Sequence, residues 1–208
     1  TSTFTGTIVG PNPQALFSVS LGGLHCCGVL SDQTALCRGA NYLRQLGIGS
    51  SSFDVTSPQK VLFQGKISKI VPGGYHSRLL VIVSQVYCFG YNNIGQLGLG
   101  DTVDRSVPTL VSSLAGIVLL ALGGYFSCAV NEEGSLWCWG RNNYGQLGLG
   151  NTSNRQIPKL IPIKHHVRSV STGFAHSLAI TESDRILAWG SGQFGQLGTE
   201  KAVNAASP

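Results

Sequence analysis

The chain contains no methionine, and only 11% of its 208 residues are charged. With 42% hydrophobic residues beside so little charge, a disordered chain is excluded, because such chains combine low hydrophobicity with high net charge. The surface must then be built from Ser, Thr, Asn, Gln and Gly. No apolar run reaches the roughly 18–20 residues that span a bilayer. The longest, Gly116 to Leu122, has the length of a strand. No secretory leader is recognisable at the start. A chain that opens on Thr1 and lacks Met is expected to be a fragment or a processed product.

Catalytic signatures are also missing. There is no Gly-x-Ser-x-Gly elbow and no phosphate loop, and no Cys-x-x-Cys or His-x-x-x-His spacing for zinc. The acidic residues Asp32, Asp101, Asp104, Glu132, Glu133, Glu182 and Asp184 fall in expected turns, and no carboxylate pair lies inside an apolar run. The expectation is a protein that is not an enzyme, with no catalytic residue, metal or cofactor. The formal charge is +5, but the cations are scattered, Lys164, His165, His166 and Arg168 being the densest group. A nucleic-acid binder more often gathers Lys and Arg on one face, so nucleic acid is not expected as a partner.

What the sequence has in excess is glycine, 28 residues, about twice the usual share of roughly 7%. The glycines recur in register. Gly-Gln-Leu-Gly occurs at Gly95–Gly98, Gly145–Gly148 and Gly195–Gly198, and Arg44-Gln45-Leu46-Gly47 is a degenerate first copy. Gly-x-x-His occurs at Gly22–His25, Gly73–His76 and Gly173–His176, with Phe126 replacing the histidine after Gly123. An aromatic-Gly pair recurs at Phe89-Gly90, Trp139-Gly140 and Trp189-Gly190, with Arg38-Gly39 as the deviant. All three signals repeat at spacings of 51, 50 and 50 residues. A period of this size marks a solenoid, propeller or array.

Each unit reads as four short strands. In the third, these are Pro108–Ser112, Ile117–Leu122, Ser127–Val130 and Ser135–Trp139, with Asn131-Glu132-Glu133-Gly134 as a hairpin turn. Four strands per 50 residues make a β-propeller blade. The expected fold is therefore all-β: one repeat array over residues 1–208, with approximate units at 7–57, 58–107, 108–157 and 158–208. Arg44 stands where the other units have glycine. If that site has positive φ, a side chain there costs on the order of 1 kcal/mol and distorts the first loop.

Kelch repeats share the period and a Gly-Gly pair. Here Gly-Gly leads into His-Ser, as in Gly73-Gly74-Tyr75-His76-Ser77. The aromatic-Gly leads into Asn-Asn-x-Gly-Gln-Leu-Gly, as in Trp139 to Gly148. That combination resembles the regulator of chromosome condensation repeat and covers nearly the whole chain. The resemblance implies a seven-bladed propeller of which about four blades are present. The functions it implies are diverse: a nucleotide exchange factor for a small nuclear GTPase, scaffolds within ubiquitin ligases, and inhibitors of β-lactamases. The exchange factor uses a hairpin inserted in one blade, and the uniform unit lengths here leave no such insertion.

The cysteines carry the compartment. Cys27 and Cys37, and Cys128 and Cys138, are each ten residues apart across an expected hairpin turn, close to cross-strand opposition. They are candidate disulfides, which would put the protein in an oxidising compartment. Buried free thiols are the alternative, and an intracellular location is the family default. His25, His76 and His176 share one repeat position. Because Phe126 takes the same place, a structural histidine bonded to backbone on the blade's inner strand is expected there rather than a metal ligand. Asn151-Thr152-Ser153 is a glycosylation sequon that matters only in a secreted protein.

Positions that vary between equivalent sites are free to serve a partner. The variable sites include Tyr91 and Arg141 after the aromatic-Gly, and Ile94, Tyr144 and Phe194 before Gln-Leu-Gly. A second candidate is the apolar hairpin tip Ile82-Val83, where the other units are polar. The expected function is a protein-interaction module that presents these rims to a protein partner, a small GTPase or a larger complex. The alternatives are a nucleotide exchange factor or regulator of a small GTPase, and a secreted, disulfide-bearing recognition or inhibitor protein.

Overall fold

A computed structural model describes residues 15–208. It is built from fifteen strands: β1 (Leu16–Leu21), β2 (His25–Leu30), β3 (Ala35–Ala40), β4 (Asp54–Lys60), β5 (Ile67–Pro72), β6 (His76–Val81), β7 (Val86–Gly90), β8 (Arg105–Leu110), β9 (Ile117–Leu122), β10 (Phe126–Asn131), β11 (Leu136–Gly140), β12 (Arg155–Leu160), β13 (Val167–Thr172), β14 (His176–Thr181) and β15 (Ile186–Gly190). They form four antiparallel sheets, three of four strands and the last of three, each ordered as in the chain. In the fourth sheet an isolated bridge, Gly190 to Ala205, takes the place of the Gly90 to Arg105 and Gly140 to Arg155 pairs. The all-β propeller architecture expected from the repeat is what the chain adopts.

The sheets cut the repeat at a different phase from the strand grouping read in the sequence. The strand that follows the long loop is the outermost strand of the preceding sheet, since β8 pairs with β7 and β12 with β11. Positions 58, 108 and 158 lie inside β4, β8 and β12, and position 7 lies outside the described residues. The period is unaffected; a run of strands alone does not reveal which neighbour an edge strand joins.

Each hydrophobic core is a seam between two blades. In the first, Cys27, Val29, Cys37, Leu46 and Val61 of blade one meet Ile67, Ile70, Leu79 and Phe89 of blade two. The second and third cores repeat this arrangement one blade further on, around Trp139 and Trp189. Leu46, Leu97 and Leu147, the leucines of the Gln-Leu-Gly loops, are wholly buried in these seams. The glycine that ends each of the first three loops packs on the aromatic of the next blade, and a Cβ on Gly148 would lie 2.8 Å from Trp189 Nε1.

The loop itself is held from inside. Asn92 Oδ1 accepts from Leu97 N at 2.9 Å, and Gln96 Oε1 accepts from Ile94 N at 3.0 Å. The same pair of bonds recurs from Asn142 and Gln146, and from Asn41 and Gln45. Gly95 and Gly145 have φ of 78° and 77°, and Arg44 has φ of 63°. The first loop is therefore not distorted, contrary to expectation. Arg44 adopts the left-handed conformation, and the Asn41 and Gln45 bonds are both kept.

The histidines also differ from expectation. All three sit on the second strand of the blade, and His25 and His76 bond to a serine of the neighbouring blade rather than to backbone. His25 Nε2 donates to Ser77 Oγ at 2.7 Å, and Ser77 Oγ donates onward to the Gln45 carbonyl at 2.8 Å. His76, Ser127 and Gln96 repeat the relay at 2.8 and 3.2 Å. Because Ser77 gives its proton to the carbonyl, the His25 imidazole carries its proton on Nε2. Burial lowers the pKa of His25 to about 4 and that of His76 well below its ordinary value. Phe126 ends the series, and Ser177 still donates to Gln146 O at 3.0 Å without a histidine behind it.

Candidate functional site

In antiparallel blades of this order, the turn from first to second strand and the exit from the third strand lie at one end. The hairpin turn between second and third strands lies at the other. The first end forms a rim. The two Gly-Gly turns that start it are stitched from blade to blade: Gly23 N donates to Gly73 O at 3.0 Å and Gly74 N to Gly123 O at 3.1 Å. A Cβ on Gly74 would lie 2.7 Å from Gly124 O, so glycine is required for this approach.

On the rim, Tyr75, Tyr125 and Phe174 follow one another across blades two, three and four. The Tyr75 and Tyr125 rings stack with centroids 4.9 Å apart, and Phe174 meets Tyr125 edge-on at 5.8 Å. Tyr91 packs edge-on against both tyrosines at 6.5 and 6.2 Å. The Arg141 guanidinium lies over the Tyr125 ring at 5.6 Å. Tyr91 and Arg141 are fixed by backbone bonds to Tyr75 O and Tyr125 O. Phe174 is 64% exposed, and the other four are half-buried. Burial, a hydrogen bond to Tyr75 and the nearby hydroxyls of Tyr75 and Tyr91 push the Tyr125 phenol up to about 12. It therefore stays a neutral donor at ordinary pH.

The structure thus brings together two of the positions singled out in the sequence, Tyr91 and Arg141, with three that were not. Tyr75 and Tyr125 precede the His or Phe of the Gly-x-x-His signature, and Phe174 takes the site that is Gly23, Gly74 and Gly124 elsewhere. The signal was visible as two tyrosines and a broken Gly-Gly pair beside the Gly-x-x-His signature. Ile94, Tyr144 and Phe194 lie in the Gln-Leu-Gly loops at the same end, with Tyr144 at 37% and Phe194 at 90% exposure. Ile82 and Val83 lie at the opposite end. Both are exposed, in a turn whose Ser84 has the same positive φ as Gln33, Gly134 and Asp184.

The cysteine pairs occupy one register position. Cys27 faces Cys37 and Cys128 faces Cys138, with sulfur separations of 2.11 and 2.07 Å. In blade two the same register pairs Arg78 with Cys88, and in blade four Leu178 with Ala188. Arg78 is fully buried. Its Nη2 donates to Gln96 O at 2.6 Å and to Ser127 Oγ at 2.9 Å, and its guanidinium stacks 4.3 Å over Trp139. It takes the carbonyl that the indole of Trp189 takes one blade later, at Gln146 O. Burial pushes the Cys88 thiol up to about 12, so it is an inert proton donor to Thr109 O. Among the described residues, no group of three His, Cys, Asp or Glu side chains could hold a metal ion.

Two family models described as regulator of chromosome condensation (RCC1) repeat match residues 84–130 with 133–180, and 117–146 with 167–196. The chain belongs to the RCC1 repeat family. It is 37% identical over 105 residues to the human protein named "Probable E3 ubiquitin-protein ligase HERC3", covering 50% of this chain and 10% of that protein. It is 34% identical over 100 residues to the ultraviolet-B receptor UVR8 of Arabidopsis thaliana, covering 47% of this chain and 22% of the receptor. This RCC1 chain therefore matches only between a tenth and about a fifth of these relatives. Its backbone is similar to that of Prp20p from Saccharomyces cerevisiae, with a TM-score of 0.85 at 19% identity over 95% of this chain and 50% of Prp20p. That likeness shows the fold.

Proposed function

We propose that this RCC1 array is a protein-interaction module and that its recognition surface is the aromatic rim of blades two to four. The observation that carries this reading is the packed, part-exposed set of Tyr75, Tyr91, Tyr125, Phe174 and Arg141. Tyr and Arg are enriched among residues that dominate binding energy, and loops on a rigid scaffold commonly carry recognition. The reading is tested by placing a photo-crosslinking amino acid at position 174 and, separately, at position 82 on the opposite end. The expected result is a discrete protein adduct from position 174. Excess unlabelled chain competes it away, and chain carrying Arg141→Ser with Phe174→Gly does not. Adducts from position 82 alone would overturn the reading.

A second reading is favoured by the cysteine pairs: a disulfide-bearing recognition protein of an oxidising compartment. Alkylation under denaturing, non-reducing conditions separates the cases. Two reactive thiols support it, and six remove it. A GTPase-directed role draws on Prp20p, whose structure is described with its binding to Gsp1p and histones. Unit spacings of 51, 50 and 50 residues leave no inserted hairpin for exchange of the kind the resemblance implies, so this role ranks last.

A further inference from the structure

The carboxylates of this chain are segregated. Asp32, Glu132, Glu133, Glu182 and Asp184 lie in or beside the hairpin turns, at the end away from the aromatic rim. The remaining four, Asp54, Asp101, Asp104 and Glu200, lie in the outer loops or at the start of an outer strand; Asp101 pairs with Arg105, and Asp104 accepts from Asn92 N at 2.8 Å. The Gly-Gly turns and the residues that leave each third strand contain no Asp or Glu, and they contribute Arg141. The four innermost strands, β1, β5, β9 and β13, also lack carboxylates and add Lys69 and Arg168. Both lie toward the hairpin end of their strands: Arg168 is engaged by Asp184 at 2.8 Å, and Lys69 stands opposite Leu80. The inner rim is therefore an aromatic surface that carries the Arg141 guanidinium and phenol donors, with Asp104 held on the Asn92 amide beside Tyr91.

From this we infer that the rim recognises an acidic protein segment, one that sets carboxylates against Arg141 and the tyrosine hydroxyls and lays apolar side chains on Tyr75, Tyr125 and Phe174. The inference rests on the rim being the recognition surface and adds the chemistry of what it takes. A carboxylate gains a charge-assisted hydrogen bond from a guanidinium, whereas a basic segment meets Arg141 as a like charge. Electrostatic complementarity of this kind selects partners and register. A nucleic acid is a poorer fit, because affinity for phosphate backbones needs several cations along one track and the aromatic cluster of the rim holds Arg141.

The test uses the full chain and three fluorescein-labelled probes read by anisotropy: a peptide alternating Glu with Phe, its twin with Lys for Glu, and a single-stranded oligonucleotide. The acidic peptide should bind about tenfold tighter than either other probe, the size of one charge-assisted bond, and weaken as salt rises. Arg141→Ser should remove most of that preference, and Tyr125→Ala and Phe174→Gly should weaken binding of the acidic peptide. Each substitution imports the residue that an equivalent unit carries, at Ser191, Ala175 and Gly124, so the blades keep their fold; thermal melts check this. If the acidic and basic peptides bind equally and both weaken with Phe174→Gly, the rim stands and the charge preference falls. Tighter binding of the oligonucleotide overturns the inference in favour of a nucleic acid. If no probe responds to any rim substitution, both the inference and the rim reading fall.

Discussion

Arg44 holds a φ of 63° where the three later units place glycines at 78°, 77° and 76°. A non-glycine residue in that conformation costs roughly 1–2 kcal/mol, and the loop bonds around it are intact. Arg44→Gly should therefore stabilise the protein by about 1 kcal/mol and raise the melting temperature by roughly 2–4 °C, as scanning calorimetry would measure. His25 makes the opposite kind of demand. Its folded pKa is depressed to about 4 from 6.5, so the unfolded chain binds the proton more readily. Stability is full above about pH 6.5 and falls as pH drops toward 4, by on the order of 3 kcal/mol for this one group. His25→Phe reproduces the solution that Phe126 already supplies, and should flatten that part of the acid-unfolding curve. An unchanged slope would show that His25 is not buried neutral. The positive φ at position 44 was readable from the repeat, since its three equivalents are glycine. The destination of the imidazole was not, because a hydrogen bond to Ser77, 52 positions away, leaves no local mark.

Individual hairpins of this array share one backbone and differ in what crosses them. Cys27 with Cys37 and Cys128 with Cys138 bridge two hairpins; Arg78 with Cys88, and Leu178 with Ala188, occupy the same register unbridged. Cross-linking a loop of this size stabilises by about 2–3 kcal/mol. Reduction should therefore lower the melting temperature of the wild type, and Cys128→Ala with Cys138→Ala should reproduce about half of that loss. A melt insensitive to reductant would contradict the bridges. Strand content, hairpin turns and candidate pairs were all legible from alternation and from a fixed offset of ten. The grouping of strands into sheets was not, because an edge strand carries the same pattern whichever neighbour it joins. The substitution of a stacked guanidinium for a disulfide was equally hidden. Arg78 is wholly buried only because Trp139, 61 positions on, supplies a face for it.

Across the whole array, each seam has two unlike halves. One half offers the loop leucine, the Gln carbonyl and the histidine. The other offers the serine, the aromatic and two inner-strand apolar residues. Blade one presents the second half to solvent. Leu16 and Val19 are 42% and 55% exposed, where their equivalents Ile67 and Ile70 are buried. Cys26 and Arg38 stand in the serine and aromatic places, and a cavity of about 730 Å³ opens among Leu21, Leu24, Cys26, Arg38 and Tyr42. An exposed apolar face of this kind favours association. The chain should show a concentration-dependent mass by light scattering, and Val19→Lys should lower it without lowering the melting temperature.

The unlikeness of the two halves gives the molecule a head and a tail. A contact that joins unlike surfaces is heterologous: repeated with a fixed turn it either closes into a ring or runs on as an open helix, and it cannot form a two-fold dimer through like faces. The serine-to-carbonyl relay therefore does more than hold neighbouring blades together. It gives the array a direction, so that any further blade, whatever chain supplies it, has only one way round to dock.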